Sequence, residues 1–225
     1  MKKILFFAIF GVLALVNYFV ISKEEVKAPP TQTANLAPQV PSEIKSELAI
    51  GAVMPLADHL MENVDGKTLS TKGVKGAKGT VVLFWCNTCP WVARYESRAI
   101  SLTNLYKSKG FGFIAVNPND PVAYPEEAIG FMKAKAQEKQ YPFPYVADVG
   151  STLARAYGAA RTPHVFLFDA TDKLVYVGGI DDNPQKEAEA KPYLKNALEA
   201  VLAGKMAPDT KTRAFGCTIK WQEKL

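Results

Sequence analysis

Two cysteines, Cys86 and Cys89, stand between the apolar run Val81-Val82-Leu83-Phe84-Trp85 and an amphipathic stretch that opens on Pro90. Five successive apolar residues read as a strand covered on both faces. From Pro90 to Lys107 the apolar positions Trp91/Val92, Tyr95, Ala99, Leu102 and Tyr106 recur every three or four residues, which is the pattern of a helix with one buried face. The thiols therefore lie at a strand-to-helix junction. Two cysteines separated by two residues can close a small ring across a first helical turn, where unpaired backbone N–H groups favour a thiolate. A central strand feeding a reactive thiol pair implies an α/β chain.

Three cysteines in 225 residues are too few for a disulfide-stapled scaffold. With 48% hydrophobic residues, the part of the chain beyond residue 42 can bury one full core. The net charge of +5 includes Lys2 and Lys3, and the remaining basic residues form no block. Nucleic acid is therefore not an expected partner.

Lys2 and Lys3 precede an apolar run from Ile4 to Ile21, interrupted only by Gly11 and Asn17 and followed by Lys23, Glu24 and Glu25. The run is longer than the ~7–15 residues of a signal-peptide core and approaches the ~20 that span a bilayer. Residues 1–22 are expected to be a signal peptide or a signal anchor, which places the domain outside the cytoplasm. An uncleaved segment would hold it at the inner membrane, facing the periplasm or cell exterior. Cleavage after Ser22 would leave it soluble, periplasmic or secreted. Residues 23–49, with Pro29, Pro30, Pro38 and Pro41, form a Pro/Ala-rich tether. The domain is expected over 50–204, and a tail over 205–225 carries Cys217.

Met54–Asn63, Asp65-Gly66 and Lys67–Ser70 predict a hairpin that starts the domain. After the loop 72–79, the strand and the helix, Phe111–Val116 is a second strand, and 117–125 is a link with three prolines. Glu126–Lys139 is then a helix with Ile129, Phe131 and Met132 inward. The β-α-β order implies a parallel pair. Tyr145–Ala147 is a short strand and Ser151–Tyr157 a short helix. His164–Phe168 and Lys173–Gly178 are strands around a turn at 170–172, and 192–203 is the last helix.

The strand ending in Trp-Cys-x-x-Cys, the β-α-β unit after it and Thr162-Pro163 before a later strand pair together resemble the thioredoxin-like superfamily, in its redoxin or AhpC/TSA-like branch. The resemblance covers roughly residues 50–204. Cys86-Asn87-Thr88-Cys89-Pro90-Trp91-Val92, Leu167-Phe168-Asp169 and Gly216-Cys217-Thr218-Ile219-Lys220-Trp221 further resemble a group of bacterial Cys-x-x-Cys thioredoxin-like proteins. It implies a central mixed sheet flanked by helices, with an N-terminal β-hairpin extension. It also implies that Cys86 is an exposed nucleophile that attacks a disulfide and that Cys89 resolves the mixed disulfide. Trp85 would flank the thiols. The Thr162-Pro163 bond would be cis, with the Thr162 backbone pairing with an extended substrate segment.

Two further side chains are accessory candidates. Cys217 reaches the thiols if the tail docks, and is otherwise a lone cysteine without a catalytic task. His164 either faces the thiols or packs within its strand. His59 belongs to hairpin or solvent packing. His59, His164 and Cys217 stand isolated in sequence, so no zinc site is expected with the cysteine pair, and no cofactor is implied.

The chain departs from its relatives in two places. Leu83 stands where the peroxidatic branch has a Thr or Ser three residues before the cysteine, and Val81–Phe84 holds no acid. Proton handling would then fall to Glu96, Arg94 or water. The leading expectation is an extracytoplasmic thiol–disulfide oxidoreductase that exchanges electrons with protein or small-molecule disulfides and with a separate electron donor. The alternatives are a thiol-dependent peroxidase, with Cys86 oxidised to sulfenic acid and Cys89 or Cys217 resolving it, and a copper chaperone using Cys86, Cys89 and His164 as soft ligands.

Overall fold

In the computed structural model, which describes Glu43 and residues 45–222, short strands at both ends frame an α/β centre. The order is β1 (Met61–Asn63), β2 (Thr68–Leu69), β3 (Gly79–Phe84), α1 (Pro90–Lys107), β4 (Phe111–Asn117), α2 (Ile129–Glu138), β5 (Tyr145–Ala147), α3 (Thr152–Tyr157), β6 (Arg161–Thr162), β7 (His164–Asp169), β8 (Leu174–Gly178), α4 (Tyr193–Leu202) and β9 (Cys217–Thr218). The expected signal or anchor segment and most of the tether lie outside the described residues. Among the described residues, no helix is long and apolar enough to cross a membrane.

Seven strands form one mixed sheet in the order β2-β1-β5-β4-β3-β7-β8. β3 pairs parallel with β4 and antiparallel with β7, and all six of its residues are buried. The predicted central position, the β-α-β parallel pair and the N-terminal hairpin are all present. The hairpin arms are shorter than the sequence reading, and β1 also pairs antiparallel with β5. β6 and β9 form a separate two-stranded sheet.

Alternation along β3 sorts the core into two layers. Val81 and Leu83, with Trp85 beyond the strand end, pack on the side of α1 and α4 beside Val92, Tyr95, Leu194 and Leu198. Val82 and Phe84 face the other way, onto Phe166, Leu153 and Tyr157. Full burial of each such side chain contributes about 1.5–3 kcal/mol. The helix register follows from this: Val92, Tyr95, Ala99 and Tyr106 of α1 are buried, as its spacing predicts. α3 stops at Gly158, whose φ of +62° supplies the left-handed C-terminal residue that glycine adopts without strain.

Phe131 departs from the expectation. The segment 126–139 divides into a short 3-10 turn, Pro125–Glu127, and α2, which begins only at Ile129. With that start, Met132 is wholly buried and Phe131 is 56% exposed on the outer face. His164 packs within its strand, its ring 4.6 Å from Phe166 and its Nε2 3.2 Å from the Glu47 carboxylate.

Candidate active site

β3 delivers the chain to the site and α1 takes it away. The Trp85 N–H donates to the Val116 carbonyl at 2.8 Å, so sheet pairing continues to the edge of the cysteine loop. Cys89 has extended backbone angles, φ −72° and ψ 122°, and immediately precedes α1. Pro90 follows at the first helical position, where a missing N–H costs nothing. The loop between the thiols is held from outside: Lys135 Nζ donates to the Asn87 carbonyl at 2.8 Å and the Tyr145 hydroxyl to Asn87 Oδ1 at 2.9 Å.

Trp85 is wholly buried, with Nε1 donating to the Tyr141 hydroxyl at 3.2 Å and its ring edge on Phe143. It supports the loop from behind and offers no surface that a substrate could touch in this conformation. Tyr141 in turn donates to Glu96, which also pairs with Lys135 at 3.1 Å. Glu96 is thus committed to Tyr141 and Lys135, and Arg94 lies over the Trp91 ring. Neither proton-handling candidate has a hydrogen bond to a thiol.

Thr162 closes the other side. The Thr162-Pro163 bond is cis, as predicted, and Thr162 is fully buried. Its Oγ1 lies 3.0 Å from Cys86 Sγ, and its carbonyl oxygen lies 3.2 Å from Cys89 Sγ. The hydroxyl that Leu83 does not supply therefore reaches Cys86 from a distant segment.

The acid absent from β3 is supplied by Glu127, in the link that leaves β4. Its carboxylate accepts from the Asn87 N–H at 2.8 Å, the Thr88 N–H at 3.2 Å and the Thr88 hydroxyl at 2.6 Å, and Asn117 Nδ2 donates to it at 3.0 Å. Burial by itself would raise the pKa of Glu127, yet the donors from Thr88, Asn87 and Asn117 hold it below the ordinary carboxylate range. A buried anion thus grips both residues between the cysteines. β3 and β4 are parallel neighbours, so the loops after them meet at one end of the sheet. That topology is the signal by which the Glu126-Glu127 pair could have been singled out.

One expectation about the thiols is corrected. Cys86 is not exposed: it is 1% accessible and Cys89 is 4% accessible. The two thiols shift in opposite directions. The Cys86 thiol donates to Cys89, and with further donors from the Cys217 thiol, the Val92 N–H and the Cys217 N–H this brings Cys89 down to about 5, against its burial. The Thr162 carbonyl serves only the neutral thiol, and the donors outnumber it. Cys86 is pushed well above the ordinary thiol range, first by the hydrogen bond it gives Cys89, then by burial and by the Glu127 charge, while the Thr162 hydroxyl opposes the rise.

Glu127→Gln removes one of the charges that hold the proton on Cys86. The variant should become alkylated at Cys86 at a lower pH than wild type, read from iodoacetamide rates across pH with circular dichroism confirming the fold. A midpoint that stays put or moves upward would detach Glu127 from Cys86.

Cys217 is docked beside the pair. β9 runs antiparallel to β6 with Cys217 opposite Thr162 and Thr218 opposite Arg161. The Cys217 thiol is raised to about 11, by burial and by the hydrogen bond it gives Cys89. The tail is docked, which is the condition on which Cys217 can reach the thiols. His164, by contrast, shares the sheet face of Phe166 and Phe84, while Cys86 and Cys89 belong to the opposite layer. It is not an accessory to the thiols, and the copper ligand set of Cys86, Cys89 and His164 is overturned with it. Among the described residues, no group of three or more His, Cys, Asp or Glu side chains is placed to hold a metal ion.

A model of the Redoxin family matches residues 33–194. The chain is 26% identical over 130 residues to a protein named thiol-disulfide oxidoreductase ResA from Geobacillus thermodenitrificans (strain NG80-2), a match that covers 58% of this chain and 69% of that one. The crystal structure of an uncharacterised conserved protein from Geobacillus kaustophilus superposes with a TM-score of 0.73 at 37% identity, covering 79% of this chain and 94% of that one. A thioredoxin-like protein solved in its oxidised form gives a TM-score of 0.55 at 19% identity, covering 68% of this chain and 97% of that one, which assigns the thioredoxin-like fold.

Proposed function

This chain belongs to the Redoxin family, and from that premise we propose that it is a thiol–disulfide oxidoreductase working through Cys86 and Cys89 outside the cytoplasm. The observation that carries the reading is the placement of the two thiols: they stand at the start of α1, and both sulfurs lie on Thr162 beside a cis proline. The similarity to a protein named as a thiol-disulfide oxidoreductase supports the same reaction class.

In the reduced pair Cys86 carries a proton and Cys89 the charge. Passing that proton along the hydrogen bond makes Cys86 the thiolate and Cys89 the thiol. Cys86 then attacks one sulfur of a partner disulfide, a Cys86–partner bond forms, and the other partner sulfur leaves and takes the proton from Cys89. Cys89 attacks Cys86 Sγ next, the Cys86–Cys89 bond forms, and the second partner sulfur leaves as a thiolate. Two electrons pass to the partner, and a donor outside the chain restores the dithiol.

The peroxidase alternative has one supporting observation, the Thr162 hydroxyl 3.0 Å from Cys86. Both reactions need Cys86 as the thiolate, so the two readings part at the substrate that this sulfur attacks. One assay separates the two. The full chain, with dithiothreitol as donor, should speed reduction of insulin disulfides and should not consume hydrogen peroxide faster than the donor does alone. Peroxide consumption without insulin reduction overturns the proposal.

A further inference from the structure

Strand pairing at Thr162 is already taken. The segment that lies antiparallel to it is the chain's own tail, with Cys217 directly opposite Thr162. The tail is fastened on both sides of that point: the Phe215 ring stacks on Trp91, Arg161 donates to the Gly216 carbonyl at 3.1 Å, the Ile219 N–H donates to the Ala160 carbonyl, and Lys220 Nζ reaches the Thr88 hydroxyl at 3.1 Å. Its contacts therefore include the residue before the cis proline, a residue between the cysteines and the first turn of α1. A cysteine presented in an extended strand at this position has the form of a bound substrate.

We infer that Cys217 is a third redox residue, an internal exchange partner of the Cys86–Cys89 disulfide. The inference rests on the reading of that pair as redox-active. The step is an isoelectronic exchange: the Cys217 thiolate attacks Cys89 Sγ, a Cys89–Cys217 bond forms, the Cys86–Cys89 bond breaks, and Cys86 leaves as a thiolate that takes up the proton Cys217 lost. No outside oxidant or reductant enters. Cys89 is the sulfur common to both disulfides, in keeping with its place as acceptor of hydrogen bonds from both other thiols. The part of the upward push that Cys86 and Cys217 receive from the Cys89 thiolate disappears once Cys89 is in a disulfide, so both become easier to ionise at that stage. The exchange lets the chain hold its oxidising equivalent between α1 and the tail while Cys86 is free.

The test uses full-length Cys86→Ser protein equilibrated with mixtures of oxidised and reduced glutathione, followed by acid quenching, non-reducing digestion and mass spectrometry. The expected product is an intramolecular Cys89–Cys217 disulfide, formed at least about tenfold more favourably in folded protein than in the same chain in guanidinium, because docking raises the effective concentration of the pair. Two free thiols, or glutathione adducts on separate cysteines, would overturn the assignment. Wild type run in parallel reports the Cys86–Cys89 disulfide itself. Its absence would sink the underlying reading, and its presence without a Cys89–Cys217 product in the variant would sink only the role of Cys217.

Discussion

Cys89→Ser protein mixed with insulin is expected to accumulate as a mixed disulfide through Cys86, while Cys86→Ser protein stays unjoined and turnover falls to the rate of the buffer thiol in both. The asymmetry follows from where the protons sit. Removing the Cys89 thiolate deletes the largest of the influences that keep Cys86 protonated, so the remaining cysteine ionises more readily and can still attack. It then has no neighbour to resolve it. In Cys86→Ser the surviving sulfur of the pair is Cys89, which gives its hydrogen bond to the Thr162 carbonyl and faces Cys217, away from a partner. Non-reducing electrophoresis and mass spectrometry of the trapped species read the result. If Cys86→Ser forms the stable adduct and Cys89→Ser does not, the order of attack is the reverse of the one proposed.

Local order in this fold is written locally. α1 runs from Pro90 to Lys107 as read from spacing, because a proline at its first position and a repeating apolar face specify both its start and its buried side. β3 is central because Val81–Phe84 are all apolar, and an edge strand would leave half of them in water. Phe131 shows the limit of periodicity. In a segment with apolar residues at 129, 131 and 132, the side that faces the sheet depends on the residue at which α2 begins, and the turn at Pro125–Glu127 moves that start.

The site divides along the same line. The thiols and the cis proline are legible because each is a short motif with its own chemistry. Glu127 is not, since its partners Asn87 and Thr88 lie some forty residues away and nothing in the local sequence marks an acid that will bond backbone N–H groups. The downward shift of Cys89 depends on four donors gathered from three segments. Helix position alone cannot report it. The tail is the clearest case: Gly216-Cys217 becomes informative only once β9 is known to lie on β6.

Gly216 carries the second large effect. A Cβ at this position would come within 2.4 Å of the Thr162 carbonyl oxygen and 2.7 Å of its carbon, both backbone atoms that no rotamer change can move aside. Gly216→Ala must therefore lift the tail from Thr162 or displace the cis-proline loop. Overpacking of this kind costs about 1–3 kcal/mol. If that cost falls on the docked state of the tail, its opening equilibrium shifts by about 5–150-fold. Cys86 and Cys89 are buried in the docked state, so their reaction with a disulfide reagent such as 5,5′-dithiobis(2-nitrobenzoate) should accelerate by a similar factor when opening is fast relative to reaction. Gly130→Ala is the control, because a Cβ there meets nothing within 4 Å and the helix favours alanine. Thiols in Gly216→Ala that react no faster than those of wild type and the Gly130→Ala control would mean that the tail does not gate them. Acceleration confined to Gly216→Ala would establish that partner access to the pair requires the tail to leave Thr162, which makes the segment carrying Cys217 a competitor for every external substrate.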